Sequence, residues 1–439
     1  MLFPSAPSSL GTTPAFILLR TASFVLAAAT APLALELLTL TAGSLLPERG
    51  RRRKRIHPVA PVTPLGLMVI VPAHNEQLLL SRCVQSLLAD LPLGSSVLVV
   101  AHNCTDNTAQ VAVDSGAEVL MLNDDGGQGK SAALRAGFRH AIARGARVLA
   151  VVDADSLVAP GFSAAIAEVL MDGAEAFQAR YIVLGGEDEA TSRLTALGFL
   201  GFNVIRPRGR AWLGMSAGIF GNGFGFRSSV LERVPYEANS LVEDLEYHLR
   251  LVDAGIRVEF LKNATVSSEM PQNSAAASSQ RARWEGGRLR VARIWLPRLL
   301  RRALAGRLSL LEPALDLASL PLASEVVLLA TCLLLPVPWL RIYALAAFGV
   351  VLAYVAVAAA EGNGWWSALR TLLSVPRYIL WKLRILPRTL ASSRPDAAWI
   401  RTEREAAPAT VTPIDSKQRP VTPVPVRDPI VAGSGKGRR

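Results

Sequence analysis

Cysteine is scarce in this chain: Cys83, Cys104 and Cys332 are the only three in 439 residues, odd in number and far apart. They offer neither a disulfide framework nor a zinc site, and they suit a reducing, cytosolic setting for the soluble part. The Asn-x-Thr sequons at Asn103 and Asn263 then carry no glycan. Aromatic residues make up only 6% and do not interleave the basic clusters, so a net charge of +12 does not indicate nucleic acid as a partner. No internal repeat is present. Gly126-Gly127-Gln128-Gly129-Lys130-Ser131 lacks the first glycine of a P-loop, whose place is taken by Asp124. It also follows the third expected strand rather than the first, which disfavours a P-loop nucleotide hydrolase.

What the chain has in quantity is apolar sequence and unevenly placed arginine. Residues 21–46 form an apolar run broken only by Pro32 and the charge of Glu36, long enough to cross a hydrocarbon core of ~30 Å. It has no basic segment ahead of it, as a cleaved signal peptide would. The basic block Arg49, Arg51, Arg52, Arg53, Lys54 and Arg55 follows it. By the positive-inside rule that block is cytoplasmic and residues 1–20 lie outside. A basic and proline-rich linker, with Pro58, Pro61 and Pro64, completes residues 47–66.

A second apolar region covers residues 314–360. The run 314–337, with Asp316 and Glu325, and the run 340–360, with Arg341, are separated by a turn at Pro336 and Pro338. They are expected to form a transmembrane hairpin, giving about three spans in all. Residues 281–307 hold nine arginines and a single acid, Glu285. Residues 296–313 therefore read as a basic interfacial segment. Residues 361–405 mix tryptophan, leucine and arginine, which suits an amphipathic helix over 365–390 lying in the membrane interface. Residues 406–439, rich in proline and charge, are expected to be disordered. Basic blocks beside apolar segments point to membrane lipid as a partner.

Between these regions acids and bases are mixed, and residues 67–295 read as one soluble α/β domain. Short apolar runs at 67–71, 97–101, 118–122, 148–152, 177–184 and 256–260 predict strands. Helices are expected over 76–90, 106–115, 130–144 and 275–294, and where Leu241, Leu245, Leu249 and Val252 recur. Strands alternating with helices imply a mostly parallel, Rossmann-like sheet covered on both faces.

Ligands of such sheets bind beyond the carboxyl ends of the strands, and polar clusters fall there. The run 148–152 ends in Asp153-Ala154-Asp155, two carboxylates able to grip a hard divalent cation with a phosphate. The first strand ends in Pro72-Ala73-His74-Asn75-Glu76, where Asn75 serves equally as a helix cap. The second ends in His102-Asn103-Cys104-Thr105-Asp106, and Thr105 or Asp106 is as plausible as a cap. Lys130 opens a helix and can meet phosphate. Ser240 and Glu243 fit a capping box, which accounts for Glu243 without function. Asp244, in the first turn of that helix, is left as a general base. Gln280, Arg283 and Trp284 share one helix face, where arginine can neutralise a leaving diphosphate and tryptophan can meet a sugar ring.

In this order the motifs resemble those of the membrane-bound family 2 glycosyltransferases, the group with cellulose, hyaluronan and poly-N-acetylglucosamine synthases. The resemblance covers roughly residues 67–295. It implies a GT-A fold, a nucleotide-diphosphate sugar donor (a UDP-sugar first), a divalent cation (Mg2+ or Mn2+) and inversion at the anomeric carbon. By resemblance, Ala73, Glu76, Asp106, Lys130, Asp153 and Asp155 contact the donor. Asp155 holds the metal, with Asp153 as the second choice, and Asp244 is the base. Gln280, Arg283 and Trp284 hold diphosphate and acceptor. Residues 214–223, rich in glycine, shape the acceptor side. His102 stands where the family has an aspartate. The expected activity is sugar addition to a growing exopolysaccharide at the cytoplasmic face of the inner membrane, with an export partner for secretion. Transfer of one sugar to a lipid acceptor is the alternative. A non-catalytic scaffold or sugar-nucleotide sensor is the alternative of another class.

Overall fold

The structure is a computed structural model that describes residues 14–47, 65–123, 129–184, 190–238, 240–269, 274–362 and 365–394. The basic block at 49–55, the proline linker, residues 124–128 and the carboxyl-terminal tail lie outside the described residues.

Eight strands form one sheet: β1 (Leu67–Ala73), β2 (Ser96–His102), β3 (Glu118–Leu122), β4 (Val148–Val151), β5 (Ser156–Val158), β6 (Ala176–Leu184), β7 (Phe224–Arg227) and β8 (Val258–Glu269). Their spatial order is β3-β2-β1-β4-β7-β6-β8-β5. The first half is parallel, as expected, with β1 paired to both β2 and β4 and β2 to β3. The second half departs from the expected mostly parallel sheet. β7 runs antiparallel to β4 and β6, and β5 antiparallel to β8, so the sheet is mixed. β7 returns beside β4 only after the long excursion through β5, β6 and the helices between them.

Buried side chains explain why the apolar runs become strands. Leu67, Val69 and Val71 point to one face, against Leu80, Leu87, Phe162 and Ile166. Met68 and Ile70 point to the other, against Ala133, Leu134 and Phe138. Each fully buried aliphatic side chain stabilises the fold by roughly 1.5–3 kcal/mol. A one-residue slip of β1 would exchange the two sets, which is why the register is strongly specified.

Beyond the sheet, the chain is less like the expected hairpin of spans. The apolar helices Pro14–Leu45 and Pro338–Glu361 are each long enough to cross a bilayer. The expected single span at 314–337 is instead two helices, Leu308–Ala318 and Leu322–Leu334, bent by 77° at the break. Ser319 is extended there (ψ 134°), and Pro321 follows. Proline lacks the N–H that would continue the helix and disfavours helical geometry in the residue before it. Likewise the region 365–390 is two helices, Trp365–Leu372 and Val375–Ser392. Large apolar side chains such as Leu18, Val25, Ile342 and Leu345 are exposed on the long helices, while Leu33, Leu37, Leu340 and Tyr354 join their packed sides.

Three acids and three arginines form a buried, charge-balanced network that ties these helices to the sheet. Glu36, 1% exposed, lies on the first apolar helix and pairs with Arg206 and, at 3.1 Å, with Arg210. Asp316 pairs with Arg206 at 2.8 Å, Arg210 at 3.2 Å and Arg288 at 3.3 Å. Glu312 pairs with Arg210. Arg206 and Arg210 lie on the helix Arg206–Trp212, which a π-helical turn, Gly201–Ile205, precedes between β6 and β7. Two of the three acids noted in apolar sequence, Glu36 and Asp316, are thus partnered by the sheet's own insertion.

Candidate active site

The carboxyl ends of β1 and β2 are locked together. Asn75 and Asn103 both adopt left-handed backbone, with φ of 55° and 50°. His74 Nδ1 lies 2.7 Å from the His102 carbonyl oxygen. Asn75 does not cap the next helix, which begins at Leu80. Its Oδ1 instead accepts the Thr105 N–H at 2.7 Å, and the Glu76 N–H donates to Thr108 Oγ1 at 2.8 Å. Asp106 accepts from the N–H groups of Thr108 at 3.0 Å and Gln77 at 3.3 Å. Burial would raise the Asp106 carboxyl, but these bonds and the Thr108 hydroxyl outweigh it and hold the group below its usual range. Asp106 is therefore a fastening between two loops in this structure. His102, where the family has aspartate, is 5% exposed, and Ala73 is also buried.

A second group of residues converges on the end of β4. Lys130, at the start of the helix Lys130–Ala143, pairs with Asp153 and donates to the Gly221 carbonyl oxygen at 2.6 Å. The Asp153 N–H donates to Asn222 Oδ1 at 3.1 Å. Asn222 Nδ2 donates to Ser156 Oγ at 2.8 Å, and Ser156 Oγ donates to Asp155 Oδ1 at 3.1 Å. Gln178, fully buried in β6, holds the same loop: its Nε2 donates to the Asn222 carbonyl at 2.8 Å, and its Oε1 accepts the Phe220 N–H at 3.0 Å. Both aspartates are half-buried at the sheet edge.

Gly221 connects this cluster to the expected base. Its φ of 75° is backbone that favours glycine, and a Cβ there would stand a tight 3.1 Å from Asp244 Oδ2, so the loop lies close against the carboxylate. Asp244 Oδ1 accepts the Leu245 N–H at 2.8 Å. Burial pushes Asp244 above its ordinary range, against the Leu245 N–H and Lys130. Burial would lower the Lys130 ammonium, but Asp153, Glu243 and Asp244 together hold it above its usual value.

The capping box expected at Ser240 is not formed. The helix starts at Glu243 with Val242 at its cap position, and the Ser240 N–H donates to Glu246 at 3.1 Å. The local sequence Val242-Glu243 turns one residue pair later than the capping pattern requires. Glu243 is freed from the cap and belongs to the site. Burial and Asp244 push its carboxyl up to about 7, against the pull of Lys130 and Arg283. A raised folded pKa means the folded state binds the extra proton. The contribution is full below the unfolded value of 4.5 and is lost as pH rises through about 7. With screening at a half-buried carboxyl allowed for, about 1–2 kcal/mol is at stake. Thermal unfolding midpoints in detergent should fall between pH 4.5 and 7, and Glu243→Gln should flatten that fall. An equal slope in the variant would show that Glu243 is not its source.

The remaining trio sits on the helix Ser274–Leu304. Arg283 is close enough to lower Glu243. Trp284 meets the Phe199 ring edge-on at 5.7 Å, with Arg281 6.0 Å above its ring, and it packs on the cluster around Val242 and Leu249. Gln280 is half-buried on the same helix. The structure thus brings together Lys130, Asp153, Asp155 and Asp244, with Arg283 beside Glu243. Ala73, Glu76 and Asp106 lie at the β1–β2 edge, where Glu76 and Asp106 take part in the bonds that fasten the two loops. Sequence reasoning missed Gln178, and it took Asn222 only as part of the acceptor-side stretch 214–223, whereas its side chain bonds the Asp153 N–H and Ser156. A lone glutamine inside the apolar run of β6 was the available signal.

A divalent cation fits the donor set at Asp153 and Asp155. Among the described residues no third acid, histidine or cysteine joins them. Mg2+ and Mn2+ sites of the phosphate-transfer kind are completed by substrate phosphates and water rather than by a protein cage.

A sheet whose parallel half ends in paired carboxylates and a lysine, closed by a reversed half carrying an acidic helix, defines a GT-A-like α/β enzyme domain. The pattern of the family described as glycosyltransferase like family 2 matches residues 64–287. The chain belongs to glycosyltransferase family 2. A probable glycosyltransferase of Bacillus subtilis (strain 168), YdaM, is 24% identical over 230 residues, covering 50% of this chain and 54% of that protein. RfbJ of Shigella flexneri is 40% identical over 54 residues, covering 12% and 41%. The chain spans about half the length of these curated relatives. Among solved structures, the mannosyltransferase PcManGT from Pyrobaculum calidifontis, in complex with GDP-Man and Mn2+, is 19% identical with a TM-score of 0.49, covering 85% of this chain and 97% of that one. Glucosyl-3-phosphoglycerate synthase from Mycobacterium tuberculosis is 17% identical with a TM-score of 0.37, covering 52% and 77%.

Proposed function

We propose that the protein transfers a sugar, with inversion, from a nucleotide-diphosphate donor (a UDP-sugar first) to an acceptor at the cytoplasmic face of the inner membrane. The observation that carries this is the contact chain Asp153–Lys130–Gly221–Asp244, which links the donor end of the sheet to the base. Asp155 and Asp153 would hold a divalent cation, which supplies charge neutralisation at the departing diphosphate. Lys130 and Arg283 add fixed positive charge to the same region. Asp244 takes the proton of the attacking hydroxyl, so displacement occurs in one step without a sugar–enzyme bond. Asn222 and Gln178 hold the Gly221 loop against the base.

The acceptor is a growing exopolysaccharide in the leading reading, with an export partner. A lipid-linked acceptor gains support from the insertion between β6 and β7. Leu197, Leu200 and Ile205 of that insertion pack among the apolar helices, and Phe199 meets Trp284 at 5.7 Å, so the site is continuous with the membrane-facing part. Membranes containing the protein, supplied with labelled sugar nucleotides, should yield label in polymer or in organic-extractable lipid, which decides between the two. Chelation by EDTA should reduce transfer roughly 10²-fold, and Mn2+ or Mg2+ should restore it. Full activity in EDTA would remove the metal from the scheme.

A further inference from the structure

The helix Val375–Ser392 has two unlike faces. On one, Ile385 and Thr389 are buried, Trp381 Nε1 donates to Ser278 Oγ at 3.1 Å, and Lys382 pairs with Glu285. On the other, Leu380, Leu383 and Leu390 are 58%, 54% and 50% exposed. At about 100° per residue, the exposed Arg377, Arg384 and Arg388 fall together along one edge of that leucine strip. The segment 375–392 contains no acid. It follows, after one short helix, the apolar helix Pro338–Glu361, which sets its distance from a bilayer. Leucines bordered by unopposed guanidiniums match the acyl boundary and phosphates of an anionic phospholipid surface.

The packed face leads toward the catalytic carboxylates. A Cβ on Gly286 would stand 2.5 Å from the Thr389 carbonyl oxygen. On the adjacent Gly287 it would stand 3.0 Å from Val242 Cγ1 and 3.3 Å from Leu241 Cβ. The glycine pair is therefore pressed between the amphipathic helix and the turn leading into Glu243 and Asp244. Close-packed contacts of this kind have little slack, so a shift of one surface displaces the other.

We propose that the leucine–arginine face of Val375–Ser392 docks on anionic phospholipid and that Gly286-Gly287 relay the docked position to Glu243 and Asp244, so that anionic lipid raises the transfer rate. The rate readout rests on the function proposed above; the docking readout does not. The full chain is placed in nanodiscs of phosphatidylcholine, with or without phosphatidylglycerol, and an environment-sensitive dye is attached at Leu383→Cys, the unsubstituted chain giving the background from Cys104. Phosphatidylglycerol should shift the dye emission to the blue. It should also raise kcat at least fivefold with little change in donor KM, since each basic residue near an anionic surface favours docking by about fivefold. The combined Arg377→Gln, Arg384→Gln and Arg388→Gln variant should keep the phosphatidylcholine rate and lose both responses. Gly287→Ala should keep the dye response and lose the rate response. Equal dye emission in the two lipids overturns the docking, and a rate response that survives in Gly287→Ala overturns the relay. A dye shift with no transfer in any lipid upholds the docking and overturns the function proposed above.

Discussion

Asp244→Asn is expected to cut sugar transfer by about 10²–10⁴-fold, the usual worth of a positioned general base, while nucleotide binding persists. The substitution is nearly isosteric, and asparagine Oδ1 can still accept the Leu245 N–H now bonded to Asp244 at 2.8 Å. What it removes is the site that receives the acceptor proton. It also removes one negative charge from a neighbourhood holding Glu243, Asp153 and Lys130, so donor affinity should hold or rise. Initial rates at saturating donor, beside titration of the nucleoside diphosphate, separate the two effects. Transfer at the wild-type rate would remove Asp244 from the role and leave Glu243, its half-buried neighbour, as the group to examine.

The second large effect is on stability and lies away from the chemistry. Arg210→Met should destabilise the protein by about 3–5 kcal/mol, because truncating one partner of a buried ion pair leaves the other charges uncompensated. Arg210 is 4% exposed at its side chain and pairs with Glu312, Glu36 and Asp316. Its loss leaves three acids facing Arg206 and Arg288. A thermal midpoint lower by about 3–6 °C is expected for a chain of this size. An unchanged midpoint would mean that the acids are neutral in the folded protein and that the network contributes little.

How far the sequence could be read depended on the length of each signal. β1, β2 and β4 were legible because each is an apolar run buried on both faces, and β3, a half-buried edge strand, because Val119-Leu120-Met121-Leu122 is still apolar. β5 and β7, three and four residues long, were missed: Ser156-Leu157-Val158 and Phe224-Gly225-Phe226-Arg227 are too short for any period to show. β8 outruns its apolar start at Val258 because its polar end, Ser267 and Ser268, pairs with β6 and β5. Such pairing is a tertiary fact. The break at Ser319–Pro321 was present in the sequence as a proline, but the apolar run around it suggested a continuous span. In the site, Asp153, Asp155 and Lys130 were recognisable from their places at element ends. That Lys130 touches Asp153, and that Glu243 joins the site rather than a cap, depends on how the Gly221 loop folds back. No local pattern encodes that approach.

The buried charge network also bears on how the protein is made. Glu36 belongs to an apolar helix that leaves the ribosome before its partners, since Arg206 lies 170 residues later and Asp316 a further 110. At roughly 5–20 residues per second, about 10–30 seconds pass before a guanidinium is available to that carboxylate. In the membrane-spanning reading, Glu36 waits through that interval in the bilayer without its partner, and its helix settles only when six strands and the insertion after β6 have been synthesised. That helix is thus translated well before the partners that secure it.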